Sequence, residues 1–167
     1  MRILNTIPVW IIAFFALSCS STQQVPTGAT ADIKTIVPSR SFVFRMQTVL
    51  PMSGRTRQMA GDGYEVKISK DTVDSWLPYF GRAYSAPIDP ANSGVTFVST
   101  DFEYIEAPRK DGGWEITIKP RDNRDIQQMF FSISEGGYAS LQVTSNNRQP
   151  ISYNGVVTAE SSRKRRK

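Results

Sequence analysis

From Arg40 onward, apolar residues recur with a period near two, in short runs bounded by Gly, Asp, Asn and Pro. That alternation confines the chain to strands. Ser41 to Leu50 sets Phe42, Phe44 and Met46 on one face, with Val43, Arg45 and Gln47 on the other. Tyr64 to Ser69 alternates Tyr, Val and Ile with Glu, Lys and Ser, and a Lys70-Asp71 turn leads into Thr72 to Trp76. Val95 to Ser99 and Phe102 to Glu106 follow a Pro-rich loop. Lys110-Asp111-Gly112-Gly113 turns the chain into Trp114, Ile116 and Ile118, and Glu135-Gly136-Gly137 joins Met129, Phe131 and Ile133 to Ala139, Leu141 and Val143. Asn154-Gly155, between Ile151-Ser152-Tyr153 and Val156-Val157, has the composition of a closing type I′ hairpin turn. Helical periodicity is absent from this region, where one helical turn at most fits, near Asp122 to Gln128. The pattern predicts an all-β, single-domain antiparallel β-sandwich or small β-barrel of eight or nine short strands, and leaves the choice of closure open.

The first nineteen residues differ in kind. Arg2, an apolar run from Val9 to Leu17 and small residues before Cys19 have the three-part layout of a secretory signal. Ala16-Leu17-Ser18-Cys19 resembles the box of bacterial lipoprotein signals, with Ala16 where Leu is usual. That resemblance implies a diacylglyceryl group on the Cys19 thiol and cleavage before it; an ordinary secretory signal, leaving Cys19 as a free thiol, is the competing reading. A membrane span needs about twenty mostly apolar residues, and this run is shorter, with Asn5, Thr6 and Pro8 near its start. The chain thus divides into a signal peptide over 1–18, a flexible tether over 19–39, a β-domain over 40–158 and a basic disordered tail over 159–167. An N-terminal lipid would tether the protein to a membrane without spanning it.

Charge is unevenly spread. Five of the twenty basic residues are Arg163, Lys164, Arg165, Arg166 and Lys167, and a sixth is Arg2. The remaining fourteen face fifteen acidic residues, so the body of the mature protein carries about −1 and the net +5 belongs to its ends. An exported protein rarely meets nucleic acid, so the basic run reads as a solvated tail and nucleic acid is not an expected partner. Cys19 is the sole cysteine, which excludes an intramolecular disulfide and leaves burial to hold the fold.

The chain has no histidine. Serine and cysteine triads with a histidine base are excluded, as are histidine-built metal sites, and no phosphate-cradling or nucleophile-elbow motif is present. No cofactor or metal is expected. Asp101, Glu103 and Glu106 form the best carboxylate cluster, and they are the basis of the alternative reading as a small glycan-active enzyme. An exposed polar face of a half-buried strand explains the same residues. Asp71 with Asp74, and Asp122 with Asn123 and Asp125, lack the spacing of a calcium loop and read as turn chemistry.

The densest unusual segment is Asp74 to Pro90, DSWLPYFGRAYSAPIDP. Pro78 interrupts strand pairing, and Gly81 permits an approach denied to other residues. Trp76, Tyr79, Phe80, Arg82 and Tyr84 are the candidate binding residues, since a bend lined with aromatic rings and a guanidinium can stack a sugar, a ring or an anion. The bland alternative is a corner that drives its rings into the core.

Leu77-Pro78-Tyr79-Phe80-Gly81-Arg82-Ala83-Tyr84 resembles the hallmark of an uncharacterised Bacteroidetes lipoprotein family, domain of unknown function 4251. Gly137-Tyr138-Ala139-Ser140-Leu141-Gln142-Val143, the Asn146-Asn147-Arg148 loop and Ile151-Ser152-Tyr153-Asn154-Gly155 are similar to its closing pattern, so the resemblance covers roughly Ser39 to Val157. It implies a β-rich, exported, lipidated protein on the periplasmic face of a membrane, the outer one. It brings no activity and no catalytic residue. The reading is a lipid-anchored cell-envelope β-domain that binds a small ligand or an envelope protein and leaves it unchanged.

Overall fold

A computed structural model describes residues 33–84 and 94–160, so Cys19, the signal and the basic run lie outside the described residues. After a four-residue helix, α1 (Ile33–Ile36), the chain forms ten strands: β1 (Phe42–Pro51), β2 (Arg57–Gln58), β3 (Glu65–Ile68), β4 (Val73–Leu77), β5 (Val95–Ser99), β6 (Phe102–Pro108), β7 (Trp114–Pro120), β8 (Ile126–Ile133), β9 (Tyr138–Ser145) and β10 (Ile151–Ala159). Nine of them make one antiparallel path, β5-β4-β3-β1-β10-β9-β8-β7-β6, and β2 pairs beside β3 on β1.

The two ends of that path are the same piece of chain. Pairing directions make β5 and β6 run the same way, with only Thr100 and Asp101 between them, so they are the halves of one bent strand. Its first half pairs with β4 and its second with β7. Counting the halves once turns nine path strands into eight staves of a nearly closed barrel. Asp122 clamps the bend: its carboxylate accepts from Ser99 Oγ at 2.5 Å, Thr100 N at 2.9 Å and Asp101 N at 3.3 Å. The Ser99 hydrogen bond above all holds that carboxyl below its usual range.

The expected alternation holds. Phe42, Phe44 and Met46 face inward from β1, as do Ile116 and Ile118 from β7 and Met129, Phe131 and Ile133 from β8, all buried. Phe131 meets Phe42 and Phe44 edge to face at 6.4 and 5.7 Å, so the interior at these rings is filled by side chains. Lys110 to Gly113 and Glu135 to Gly137 turn the chain as predicted, with Gly112 and Gly137 at φ 79° and 83°.

Three expectations are corrected. Asn154-Gly155 does not turn the chain; both residues lie within the unbroken β10. Gly155 faces Met46 beside the bulge of β1 between Met46 and Thr48, and a Cβ there would collide with the Arg45 carbonyl, so the glycine answers a close backbone approach. Asp122 to Gln128 contains no helical turn; Asn123 Oδ1 accepts from the backbone N–H of Asp125 and Ile126, and β8 starts at once. Finally, the end of the segment read as tether is folded, because Ile33 and Val37 are buried in the core and Gly137 packs beneath Ile33.

That folded segment closes one mouth of the barrel. It packs against β10 at α1, then brings Arg40 over the Tyr104 ring of β6 at 4.6 Å before β1 begins. Phe42 pairs with Ala159, so β1 starts and β10 ends at this α1 mouth.

Candidate functional site

The opposite mouth is closed by the segment after β4. Pro78 has no N–H to continue the ladder, so β4 stops at Leu77 and the chain crosses the opening. The freed Pro78 carbonyl accepts from the Tyr153 hydroxyl at 2.8 Å, which anchors the crossing to the buried ring of β10. The Tyr79 hydroxyl lies 2.9 Å from the Arg82 carbonyl and 3.0 Å from that of Gln149, and its ring lies against Gly81, where any Cβ would collide with it. Burial raises the Tyr79 hydroxyl pKa, with the Arg148 guanidinium pulling it back.

Arg148 is the hub of this corner mouth. Its side chain is only 15% exposed, it forms an ion pair with Asp125, donates to the Gly94 carbonyl at 2.9 Å and covers the Tyr79 ring at 4.9 Å. Ala83 bridges to Arg148, Gln149 N donates to the Arg82 carbonyl, and Tyr84 N donates to that of Asn147. The Leu77 to Tyr84 motif and the Asn146 to Tyr153 motif, about seventy residues apart, are therefore one interlocked piece of structure.

The candidate binding residues separate into two groups on this scaffold. Tyr79 is half-buried and spent on the latch; Phe80 is half-buried beneath the Arg57 guanidinium at 4.3 Å. Trp76, Arg82 and Tyr84 are exposed, Trp76 by 51% and Tyr84 by 72%. Trp76 leans on Tyr64 with ring centroids 5.0 Å apart, which stiffens an otherwise free indole. Residues 85–93 of the Pro-rich loop lie outside the described residues. Sequence reasoning missed Arg148, Arg57 and Tyr64 as parts of this region. Arg148 carried a signal only in lying within the second motif.

The carboxylate cluster is divided across β6. Glu103 pairs with Lys119 and Glu106 with Ile116, three residues apart and so on opposite faces of β6. Asp101 sits at the bend, 3.9 Å from Arg121. Glu106 shares the inner face with Tyr104; burial raises its pKa, and Arg40 pulls it back. Burial also raises the Tyr104 pKa strongly, and among the described residues the Tyr104 hydroxyl and Trp114 Nε1 have no hydrogen-bond partner. Of the remaining acidic groups, Asp71 acts in its own turn, its Oδ1 accepting from Thr72 Oγ1, and Asn123 caps the turn before β8, whereas Asp122 and Asp125 reach across the fold to the bend and to Arg148. Among the described residues no group of three or more potential ligands could hold a metal ion.

The family model described as Domain of unknown function (DUF4251) matches residues 27–157. The fold is similar to that of a DUF4251 family protein from Bacteroides eggerthii DSM 20697, known from its crystal structure, with a TM-score of 0.58 and 17% identity, covering 77% of this chain and 85% of that one. No curated protein matches the chain. At this identity the likeness shows the fold.

Proposed function

The chain belongs to the DUF4251 family, and we propose that it is a lipid-anchored binding domain of the bacterial envelope that holds a partner at the corner mouth without altering it chemically. The observation that carries this reading is the pairing of a rigid base with exposed rings. Trp76 and Tyr84 stand in solvent on either side of a crossing fastened by Tyr79, Tyr153 and Arg148. Rings held in place before contact lose little freedom on binding, and aromatic side chains dominate interface hot spots. Glu103 and Glu106 point to opposite faces of β6, which weighs against those two carboxylates working as a pair. The likeness of the segment ending in Cys19 to lipoprotein signals supports the anchor, and the family resemblance supports the periplasmic face of the outer membrane as its place.

The test is site-specific photo-crosslinking in the producing bacterium, with the probe residue at Trp76, Tyr84 or, as a control at the other mouth, Lys70. Adducts in the envelope fraction from the first two positions and none from Lys70 are expected. Equal labelling at all three overturns the site, and release of the chain into the soluble fraction with Cys19 intact overturns the anchor.

A further inference from the structure

We infer that the ligand class at the corner mouth is an anionic glycan, a chain of sugar rings carrying carboxylate, sulfate or phosphate groups. This rests on the reading that the mouth is a binding site and adds what it binds. The inference comes from the cations around the crossing. Arg55 and Arg57 belong to the β1–β2 loop and β2, Arg82 to the crossing itself and Arg124 to the β7–β8 loop. Three of them are tied to the crossing and the loop beneath it: Arg57 covers Phe80, the Arg82 carbonyl accepts from Gln149 N, and the Arg124 carbonyl accepts from Asn146 Nδ2.

These four guanidinium groups are exposed, and none has a carboxylate partner among the described residues. Of the acids in the same loops, Asp125 is paired with Arg148, and Asp122 keeps its charge but turns its carboxylate to the donors at the bend, so the four arginines outnumber it. A body that carries about −1 therefore gathers unneutralised positive charge at one mouth, and does so with arginine. Guanidinium presents a planar fork of donors that fits carboxylate, sulfate and phosphate oxygens two at a time, which a lysine ammonium does not.

Charge alone would suit any polyanion; the rings narrow the class. Trp76, backed by Tyr64, lies near the end of β4 just before the crossing, and Tyr84 follows Arg82 by two residues; both are exposed aromatic rings. The C–H face of a pyranose stacks on such a ring while its acidic substituent reaches a guanidinium. An acidic peptide offers carboxylates on flexible stems and no repeating flat face.

The experiment is affinity electrophoresis of the full chain in mild detergent through gels containing polygalacturonate, neutral galactan or poly-glutamate of matched charge density. Because Arg163 to Lys167 would bind any polyanion, it is run with that run replaced by Ser and Gln as well as intact. Retardation by polygalacturonate in both forms is expected, weakening with salt. Arg82→Gln, Arg124→Gln and Trp76→Ala should each weaken it at least about tenfold, the loss of one charge-assisted contact or stacked ring. Arg82→Lys should recover only part, and Lys70→Gln should change nothing. Loss of retardation on replacing residues 163–167, equal retardation by poly-glutamate, or indifference to the arginine variants would each overturn the glycan assignment. If crosslinking at Trp76 and Tyr84 still succeeds while polygalacturonate fails, the binding site stands and its anionic glycan falls.

Discussion

At the corner mouth the chain is held across the opening by hydrogen bonds and an ion pair; at the α1 mouth it is held by apolar side chains, with polar groups left over. Pro78, Tyr79, Tyr153 and Arg148 each find a partner, and Gln149 Oε1 has none among the described residues. Opposite, Ile33 and Val37 are buried in the core, while the Tyr104 hydroxyl and Trp114 Nε1 have no partner among the described residues and Glu106 is a carboxyl pushed toward its neutral form. The difference teaches that the most conspicuous motif of the sequence is spent largely on closure. What it leaves exposed, Trp76, Arg82 and Tyr84, is a smaller and more specific set than the motif itself.

The sharpest way to break this contrast is Tyr153→Ala. It removes a fully buried ring and a side-chain donor to the Pro78 carbonyl, and should cost about 3–5 kcal/mol in denaturant unfolding. A loss under about 1 kcal/mol would mean that the crossing does not depend on its anchor. Arg148→Met should cost about 3 kcal/mol, because it strands Asp125 and the Gly94 carbonyl in a partly buried setting. Adding Asp125→Asn should return part of that loss, and a second variant as unstable as the sum of both would refute the pairing.

The smallest effect belongs to the α1 mouth and is read through pH. The native state holds the Glu106 proton more tightly than the ordinary value of 4.5. Its contribution to stability is therefore complete below the unfolded pKa and is lost as pH rises through the folded one. Glu106→Gln, always neutral, should be the more stable protein at neutral pH, and the two melting curves should converge below about pH 4. Parallel curves across the range would show that the carboxyl is not strained there.

Most staves were legible because alternation is a local property: β5 coincides with its predicted run, and the inward faces of β1, β7, β8 and β9 were assigned correctly. The failures share a cause. Asn154-Gly155 looks like a turn to any local rule, and its place inside β10 is set by the bulge of β1, more than a hundred residues earlier. The choice between sandwich and barrel hung on Thr100 and Asp101, which carry no glycine or proline and bend only because Asp122 grips them. Ile33 and Val37 are too sparse in the sequence to declare a core position, although both are buried in the core. At the candidate site the aromatic content was visible, but which rings face water was not. A proline crossing has no period from which to read its faces, and the arginines that surround it come from three separate loops.

The pairing of Phe42 with Ala159 has a practical corollary. Entry and exit of the barrel lie side by side, so a label, fusion partner or solid support joined at either end leaves the mouth ringed by arginines turned outward. The molecule is in effect a plug with its leads on one side and its contacts on the other.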